Sequence, residues 1–204
     1  LKGIIVGGPG PTKEDFVGGN YVHYELKPKI LSTVDTAYTG VEGVKEVVDR
    51  SREFMKNVRY VEERDIVQRL LYNVGQETGL ATYGEQEVIA ALKSVNVKTL
   101  ILSEGLDRHM VRLRCRECGN RETRIIDRDE TETFEQRLPE LRCPSCGKNV
   151  YEMEEKEDLI ESLVKMADGP GADVEVISTQ TEEGEMLLKS FGGIAAILKY
   201  RQFR

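Results

Sequence analysis

The four cysteines of this chain constrain its fold more than any other feature. They form two matched pairs, each a Cys-x-x-Cys followed by glycine: Cys115 with Cys118, and Cys143 with Cys146. Two residues between paired thiolates allow one tight turn to aim both sulfurs at a single point, while backbone N–H groups of the turn donate to them. Two such turns together supply four sulfur ligands in a tetrahedron, which suits Zn²⁺ at about 2.3 Å per bond. The spacing therefore predicts a structural zinc site.

Four other arrangements compete with zinc for these cysteines. Two disulfides need an oxidising compartment, and the sequence shows no signal peptide or membrane-spanning run. A thioredoxin-like redox pair is expected once, beside a β-α-β pattern, rather than twice with matched glycines. An iron–sulfur cluster also takes four cysteines, and four unrelated buried thiols would be a coincidence at this spacing. Two Cys-x-x-Cys turns, here called knuckles, are more typical of a zinc site. The sequence alone does not exclude an iron–sulfur cluster.

A catalytic zinc is not predicted. The four cysteines fill a tetrahedral shell, whereas catalytic zinc keeps one position open for water or substrate. The chain has only two histidines, His23 and His109, and neither has a neighbour that would form a nucleophile pair. The metal is expected to fold its part of the chain and to do no chemistry.

Length and charge narrow the class of protein further. The chain has 204 residues, enough for one or two domains with hydrophobic cores. No apolar run approaches about 20 residues, so no membrane span is predicted. The net charge of −7 argues against a general nucleic-acid coat protein, although it is compatible with a local basic patch. The chain opens on Leu1 rather than methionine, directly in an apolar run, which indicates a piece of a longer protein.

Apolar periodicity predicts helices that alternate with buried strands. Two helices are expected between Val41 and about Glu77, with a domain boundary at their join near Asn57. The acidic run at 152–158 is expected to open a helix, because carboxylates suit a helix N-terminus. The other predicted strands lie at 1–7, 30–35, 99–102, 110–114, 125–126, 150–151, 174–177 and 194–200, and the other helices at 21–27, from about 85, 158–167 and 182–190.

This alternation predicts a mixed-sheet α/β sandwich, preceded by part of a second α/β domain. The cysteine segment, about residues 110–151, interrupts the alternation and is expected to be an inserted zinc-ribbon-like minidomain. The glycine cluster at 7–10 lacks the Gly-Lys-Ser/Thr of a phosphate-binding loop, and the acidic run at 127–135 has Glu132 where a calcium loop needs glycine. The residues alone predict a binding module with no catalytic residues.

Several segments resemble, in collinear order, the class-1 peptide chain release factors of the archaeal and eukaryotic type. They are 1–6, 76–79, 83–84, 91–92 and the C-terminal run 191–200. The resemblance implies that residues 1–57 are the later part of the family's middle domain and residues 58–204 its C-terminal domain. The cysteine knuckles resemble the zinc-bearing minidomain of archaeal members, which favours an archaeal source.

The resemblance also implies what the parent protein does. A full-length member recognises stop codons and promotes peptidyl-tRNA hydrolysis on the cytoplasmic ribosome, using a Gly-Gly-Gln tripeptide of its middle domain. This chain contains no Gly-Gly-Gln, because its Gly-Gly pairs precede proline, asparagine and isoleucine. By this interpretation the chain is not itself an enzyme.

The implied role of the chain is to bind partners. The family's C-terminal domain docks a translational GTPase of the elongation-factor type and contacts the ribosome-recycling ATPase, so RNA contact is expected only on the ribosome. A family run tied to GTPase binding, Gly-Ile-Leu-Arg-Tyr, aligns with residues 196–200 and departs from it at Ala196 and Lys199. The predicted partner-binding residues are Ile197, Leu198, Lys199 and Tyr200. The same apolar alternation also suits a core strand.

Two alternatives stay open on the sequence. The paralogous stalled-ribosome rescue factor shares both domains and a similar C-terminal run, but it never has Gly-Gly-Gln and usually lacks the knuckle cysteines. An RNA-binding module is the second alternative, because the C-terminal fold resembles that of kink-turn-binding ribosomal proteins, and net acidity counts against it.

Overall fold

The computed structural model describes residues 3–169 and 171–202. The predicted first strand begins at Leu1, so its first two residues lie outside this part. The chain divides into two compact units, Leu1–Glu62 and Glu63–Arg204. No helix among the described residues is both long and apolar enough to cross a membrane.

The first unit is built on two parallel strands. These are β1 (Ile4–Gly8) and β2 (Ile30–Asp35), with α1 (Thr12–Gly18) between them in the chain. β2 has the predicted bounds. The helix predicted at 21–27 is wrong, because the segment forms turns that end in a 3-10 turn, Lys27–Lys29. Pro28 lies in that turn, and its missing N–H prevents it from continuing a helix interior.

The buried side chain of Lys13 stabilises the glycine-rich loop after β1. This side chain is only 6% exposed; its ammonium donates to the carbonyl of Gly10 at 2.7 Å and pairs with the carboxylates of Asp35 and Glu14. The bond to Asp35, followed by that to Glu14, raises the pKa of Lys13. The ammonium therefore braces the loop that joins β1 to α1.

A single helix, α2 (Gly40–Gly75), replaces the two helices predicted between residues 41 and 77. The predicted join between two helices near Asn57 is wrong, because α2 continues through it. Residues 44–74 contain neither proline nor glycine, so nothing in them ends a helix. The boundary between the two compact units falls inside this helix.

The second unit continues from α2 with alternating elements. In chain order these are β3 (Ala81–Tyr83), α3 (Glu85–Lys93), β4 (Val97–Ser103), β5 (Arg108–Cys115), β6 (Arg121–Asp127), α4 (Thr131–Arg137), β7 (Tyr151–Asp158), α5 (Leu159–Asp168), β8 (Asp173–Ile177), α6 (Glu182–Phe191) and β9 (Ile194–Leu198). The predicted last strand ran to Tyr200, two residues beyond the end of β9.

The central sheet confirms the predicted mixed α/β sandwich. Its strand order is β3-β9-β4-β8, with β4 and β8 parallel and β9 antiparallel to both of its neighbours. Successive side chains alternate between its faces: Leu100 and Leu102 pack with α3 and α5, whereas Ile101 packs with α6 and the end of α2. Two apolar layers therefore lie on opposite sides of one sheet.

The cysteine segment forms its own sheet, inserted between β4 and α5. Strand order is β6-β5-β7, with both pairs antiparallel. A separate apolar core lies against it, around the fully buried Val111 and Leu113. This is the minidomain expected from the sequence.

The acidic run at 152–158 is a strand, β7, so the prediction that it opens a helix is wrong. Two of its glutamates pair with arginines of the neighbouring strand β5: Arg112 pairs with Glu155, and Arg114 with Glu154 at 3.5 Å. Opposite charges on adjacent strands favour the ladder, an effect that depends on pairing distant in sequence. The last two residues of the run also serve the following helix: Asp158 is the N-cap of α5, and Glu157 accepts hydrogen bonds from Ser162 and Lys165 of that helix.

Candidate functional site

Each cysteine knuckle is closed by a glycine in the left-handed conformation. Gly119 has φ +73° and Gly147 has φ +74°. The N–H of Gly119 donates to the carbonyl of Cys115 at 2.9 Å, and that of Gly147 to the carbonyl of Cys143 at 2.8 Å. Glycine adopts this conformation at no steric cost, which explains why each Cys-x-x-Cys is followed by glycine.

The two knuckles bring four sulfurs to one point. The Sγ atoms of the four cysteines lie within 4.8 Å of one another, and all four thiols are free. Two of the separations join sulfurs of different knuckles: Cys115 to Cys146 and Cys118 to Cys143, both 3.6 Å. A zinc ion with four bonds of about 2.3 Å has sulfur–sulfur edges of about 3.8 Å. The cluster is therefore compatible with a tetrahedral metal ion.

Backbone N–H groups surround the sulfurs with positive partial charge. Burial of the Cys143 sulfur raises its pKa, but donation from the N–H groups of Cys146 and Ser145 and from the Tyr151 hydroxyl outweighs burial and lowers that pKa to about 6. At Cys118 the N–H of Asn120 lowers the pKa, yet partial desolvation of the sulfur and the three other sulfurs raise it to about 12. Four thiols at this distance cannot all ionise without a cation, and a divalent metal supplies that charge.

Tyr151 completes the surroundings of the cluster, and the spacing of the cysteines gives no signal for it. Burial raises its pKa to about 12, so the hydroxyl stays protonated and can donate toward the Cys143 sulfur. The Glu122 carboxylate, 3.1 Å from the hydroxyl oxygen, is an alternative acceptor for the same single proton, and that oxygen accepts from the side-chain amide of Asn120 at 3.2 Å. Groups that orient metal ligands in this way tune the basicity of those ligands.

The cluster is continuous with the apolar core of the minidomain. Cys115 is fully buried at the end of β5, and Cys143 is 1% exposed. Both pack with Val111 and Leu113, whereas Cys118 is exposed. Holding the sulfurs together therefore also closes this core.

The predicted partner-binding residues at the C-terminal end fall into two groups. Ile197 is half-buried and packs in the apolar layer beneath α6, and Leu198 is 3% exposed in the opposite layer. Lys199 is exposed, and Tyr200 is 73% exposed. Of these four residues, only the last two therefore have exposed side chains.

Asn96 holds the backbone of the exposed C-terminal segment, residues 199–202. The sequence did not indicate this role. Its Oδ1 accepts from the N–H of Tyr200 at 2.8 Å, and its amide donates to the Tyr200 carbonyl at 3.1 Å. The N–H of Lys199 donates to the Asn96 carbonyl at 2.8 Å, and the N–H of Gln202 to that of Gly79 at 2.8 Å. The backbone of this segment is held although its side chains are exposed.

Comparison with known protein families decides the family. The model of eRF1 domain 2 matches residues 1–57, and that of eRF1 domain 3 matches residues 60–202. The chain belongs to the eRF1 family. The second match contains the sandwich, the cysteine cluster and the exposed C-terminal segment as far as residue 202. The predicted resemblance to release factors is confirmed.

Individual relatives of this eRF1-family chain support the family assignment. The peptide chain release factor subunit 1 of Pyrococcus abyssi is 46% identical over 201 residues, which cover 98% of the chain and 48% of the relative. The chain thus spans about half the length of that relative. A solved C-terminal domain of the peptide chain release factor from Methanosarcina mazei is 30% identical, with a TM-score of 0.66, and the match covers 80% of the chain and 98% of that domain.

The fold also occurs in a related protein. A chain in a structure described as ribosome-bound archaeal Pelota and ABCE1 is 25% identical, with a TM-score of 0.55, and the match covers the whole of this chain and 44% of the other. The eRF1-family fold of this chain is therefore shared between release factors and Pelota.

Proposed function

We propose that this chain is the later part of an archaeal peptide chain release factor that acts in translation termination. The observation that carries the proposal is the succession of the two family matches, domain 2 at 1–57 and domain 3 at 60–202, over nearly the whole chain. Residues 1–57 then belong to the middle domain, and residues 58–204 form the C-terminal domain with the minidomain inserted. In the parent protein, other segments read the stop codon and promote peptidyl-tRNA hydrolysis.

In this proposal the chain contributes binding rather than catalysis. The C-terminal domain docks a translational GTPase of the elongation-factor type, and Lys199 and Tyr200 supply the exposed contacts. The braced backbone supports this, because a side chain on a fixed backbone loses less conformational entropy when it binds. A recycling ATPase is the second partner, by analogy with the structure that pairs Pelota with ABCE1.

The four cysteines hold a structural Zn²⁺ in this proposal. The ion would neutralise the crowded thiolates and join the two knuckles, which arrive from opposite ends of a long segment. All four ligand positions are then filled by sulfur, so no position remains for water or substrate. The chemistry of the donor set supports zinc over harder cations, which prefer oxygen.

The stalled-ribosome rescue factor is the main rival. Identity among solved structures favours the release factor, at 30% to the Methanosarcina mazei domain against 25% to the chain in the Pelota structure. The Pyrococcus abyssi protein, 46% identical over 98% of this chain, is likewise a peptide chain release factor. Sequencing the gene upstream of Leu1 separates the two. A Gly-Gly-Gln in the encoded middle domain supports the release factor, and its absence would overturn the proposal.

The docking role is tested by binding of the purified GTPase to Tyr200→Ala and Lys199→Glu variants. We expect Tyr200→Ala to weaken binding about tenfold or more, as exposed tyrosines often dominate such interfaces. Tyr72→Ala removes another exposed tyrosine of the same unit and is the matched control. Equal affinity of all variants would exclude this end of the chain from the interface. Ile197 is unsuitable for the test, because its replacement would also disturb the core.

A further inference from the structure

We propose that a groove between α3 and the strand pair β5–β6 binds an extended, acidic segment of a partner protein. The groove has a volume of about 740 Å³. It lies within the second unit and contains neither a cysteine of the cluster nor a residue of the C-terminal segment. The inference therefore goes beyond the proposed function and does not depend on it.

The wall of the groove is apolar and adaptable. Ile89 of α3, Ile125 of β6 and Met166 of α5 line it, and each is only partly buried where it packs on the edge of the main core. Met110, which is 4% exposed, also lines the groove. Flexible methionine side chains can adjust to different apolar partners. The wall can therefore accept the apolar side chains of a bound segment.

The position of β6 indicates an extended occupant. Three consecutive residues of this strand, Thr123, Arg124 and Ile125, all line the groove. Ile125 and Thr123 lie opposite Met110 and Arg112 of β5, which also line the groove, so the groove lies over this face of the sheet and reaches β6 as its edge strand. Among the described residues β6 pairs with β5 alone. An extended peptide can add to such a free edge through main-chain hydrogen bonds.

The charged side chains that line the groove favour binding of an acidic segment. Its lining contains three cations, Lys93, Arg112 and Arg124, and one carboxylate, Glu85, which already pairs with Arg108. Lys93 is exposed and forms no ion pair with the other described residues.

The two arginines retain binding capacity. Arg112 donates through Nη1 to Glu155, and Arg124 through Nε to Glu122 at 2.7 Å. A guanidinium has five N–H donors, so each can bind a further carboxylate. Glutamates spaced along an extended segment would complement this set.

The test measures binding of three fluorescein-labelled hexapeptides to the full chain at low salt. The first alternates glutamate and leucine, the second replaces each glutamate by lysine, and the third replaces each leucine by glycine. We expect the first to bind most tightly and to weaken as salt rises. Loss of either the acidic or the apolar residues should weaken binding at least tenfold.

Two variants test whether the peptide binds in this groove. Lys93→Glu should weaken binding of the glutamate–leucine peptide about three- to tenfold, and Ala90→Glu, on the exposed lining of the same helix, should weaken it further. Lys98→Glu makes the same charge change at an exposed position outside the lining and should leave affinity unchanged. Thermal melting of each variant confirms that the fold is kept.

Several results would overturn the inference. They are the absence of binding by the glutamate–leucine peptide, equal or tighter binding of the lysine peptide, and equal loss of affinity in Lys93→Glu and Lys98→Glu. Tighter binding of an oligouridylate RNA that competes for Lys93 would assign the groove to nucleic acid. Self-association that Ala90→Glu abolishes would assign it to a second copy of the chain. Either assignment replaces the proposed occupant.

Discussion

The side-chain amide of Asn96 forms hydrogen bonds with both backbone polar groups of Tyr200. The carbonyl oxygen of the amide lies 2.8 Å from the Tyr200 nitrogen, and its nitrogen lies 3.1 Å from the Tyr200 carbonyl oxygen. These residues are 104 positions apart in the chain. The pair fixes the backbone beyond the end of β9 while the aromatic ring stays in solvent.

Replacing Asn96 with alanine should loosen this segment without unfolding the sheet. Two hydrogen bonds are lost, each contributing about 0.5–1.5 kcal/mol. We expect the Tyr200 amide to exchange with solvent about tenfold faster, measured by NMR-detected hydrogen exchange. The Leu198 amide, which donates to the Leu80 carbonyl at 2.8 Å, should keep its protection. Asn149→Ala is the control, and unchanged exchange at Tyr200 would contradict the bracing role.

Replacing Cys143 with serine should abolish metal binding and melt the minidomain. The unmodified chain is expected to hold about one zinc ion, measured by elemental analysis after dialysis. Structural zinc supplies about 10–16 kcal/mol of apparent binding free energy in small peptides, so its loss should disorder β5 to β7. NMR spectra should show the sandwich retained.

The matched control for that experiment is Ser145→Ala, within the same knuckle. It keeps all four sulfurs and should keep the metal. A fully folded Cys143→Ser protein would show that no metal is needed. Loss of all structure would show instead that the minidomain and sandwich fold as one unit.

Replacing Gly147 with alanine should strain the second knuckle. Its φ of +74° disfavours any residue with a Cβ, at a cost of about 1–2 kcal/mol. An added Cβ would also lie 3.3 Å from the guanidinium of Arg142. We expect zinc affinity to fall about tenfold, measured by competition with a chromogenic chelator. Gly75→Ala adds its Cβ to open space and should leave zinc affinity unchanged; a similar loss in both variants would rule out the knuckle strain.

Glu157 should make stability depend on pH in the acid range. Its carboxylate accepts from Lys165 at 2.8 Å and from Ser162 at 2.9 Å, and these bonds lower its pKa from 4.5 to about 2. A depressed pKa means that the folded state favours the ionised form. The resulting stability is fully present above about pH 4.5 and is lost as pH falls toward 2.

Thermal melting of Glu157→Gln tests this dependence. The variant should melt below the unmodified chain at pH 6, and the difference should shrink steadily between pH 5 and pH 2. Glu185→Gln is the control, because that carboxylate is 57% exposed and its pairing with Lys189 is screened by solvent. A difference that stays constant across this range would exclude Glu157 as the titrating group.

Prediction from the sequence succeeded where the signal is local. The cysteine spacing and following glycines determine each knuckle, because a tight turn is built from adjacent residues. The buried run around Leu100 and the helix after Gly84 follow from apolar periodicity. The same reasoning failed for the acidic run at 152–158, because its pairing with arginines of β5 is not visible in the run itself.

The sequence by itself determined the four thiols of the cysteine cluster and the alternation of helices with strands. Both depend on residue types and on short spacings along the sequence, which are set before the chain folds. Only the tertiary structure decided that Leu198 is buried while Tyr200 is exposed, and that Asn96 holds the latter. Burial and hydrogen bonding between residues far apart in the chain depend on which strands become neighbours, and that follows from packing of the whole core.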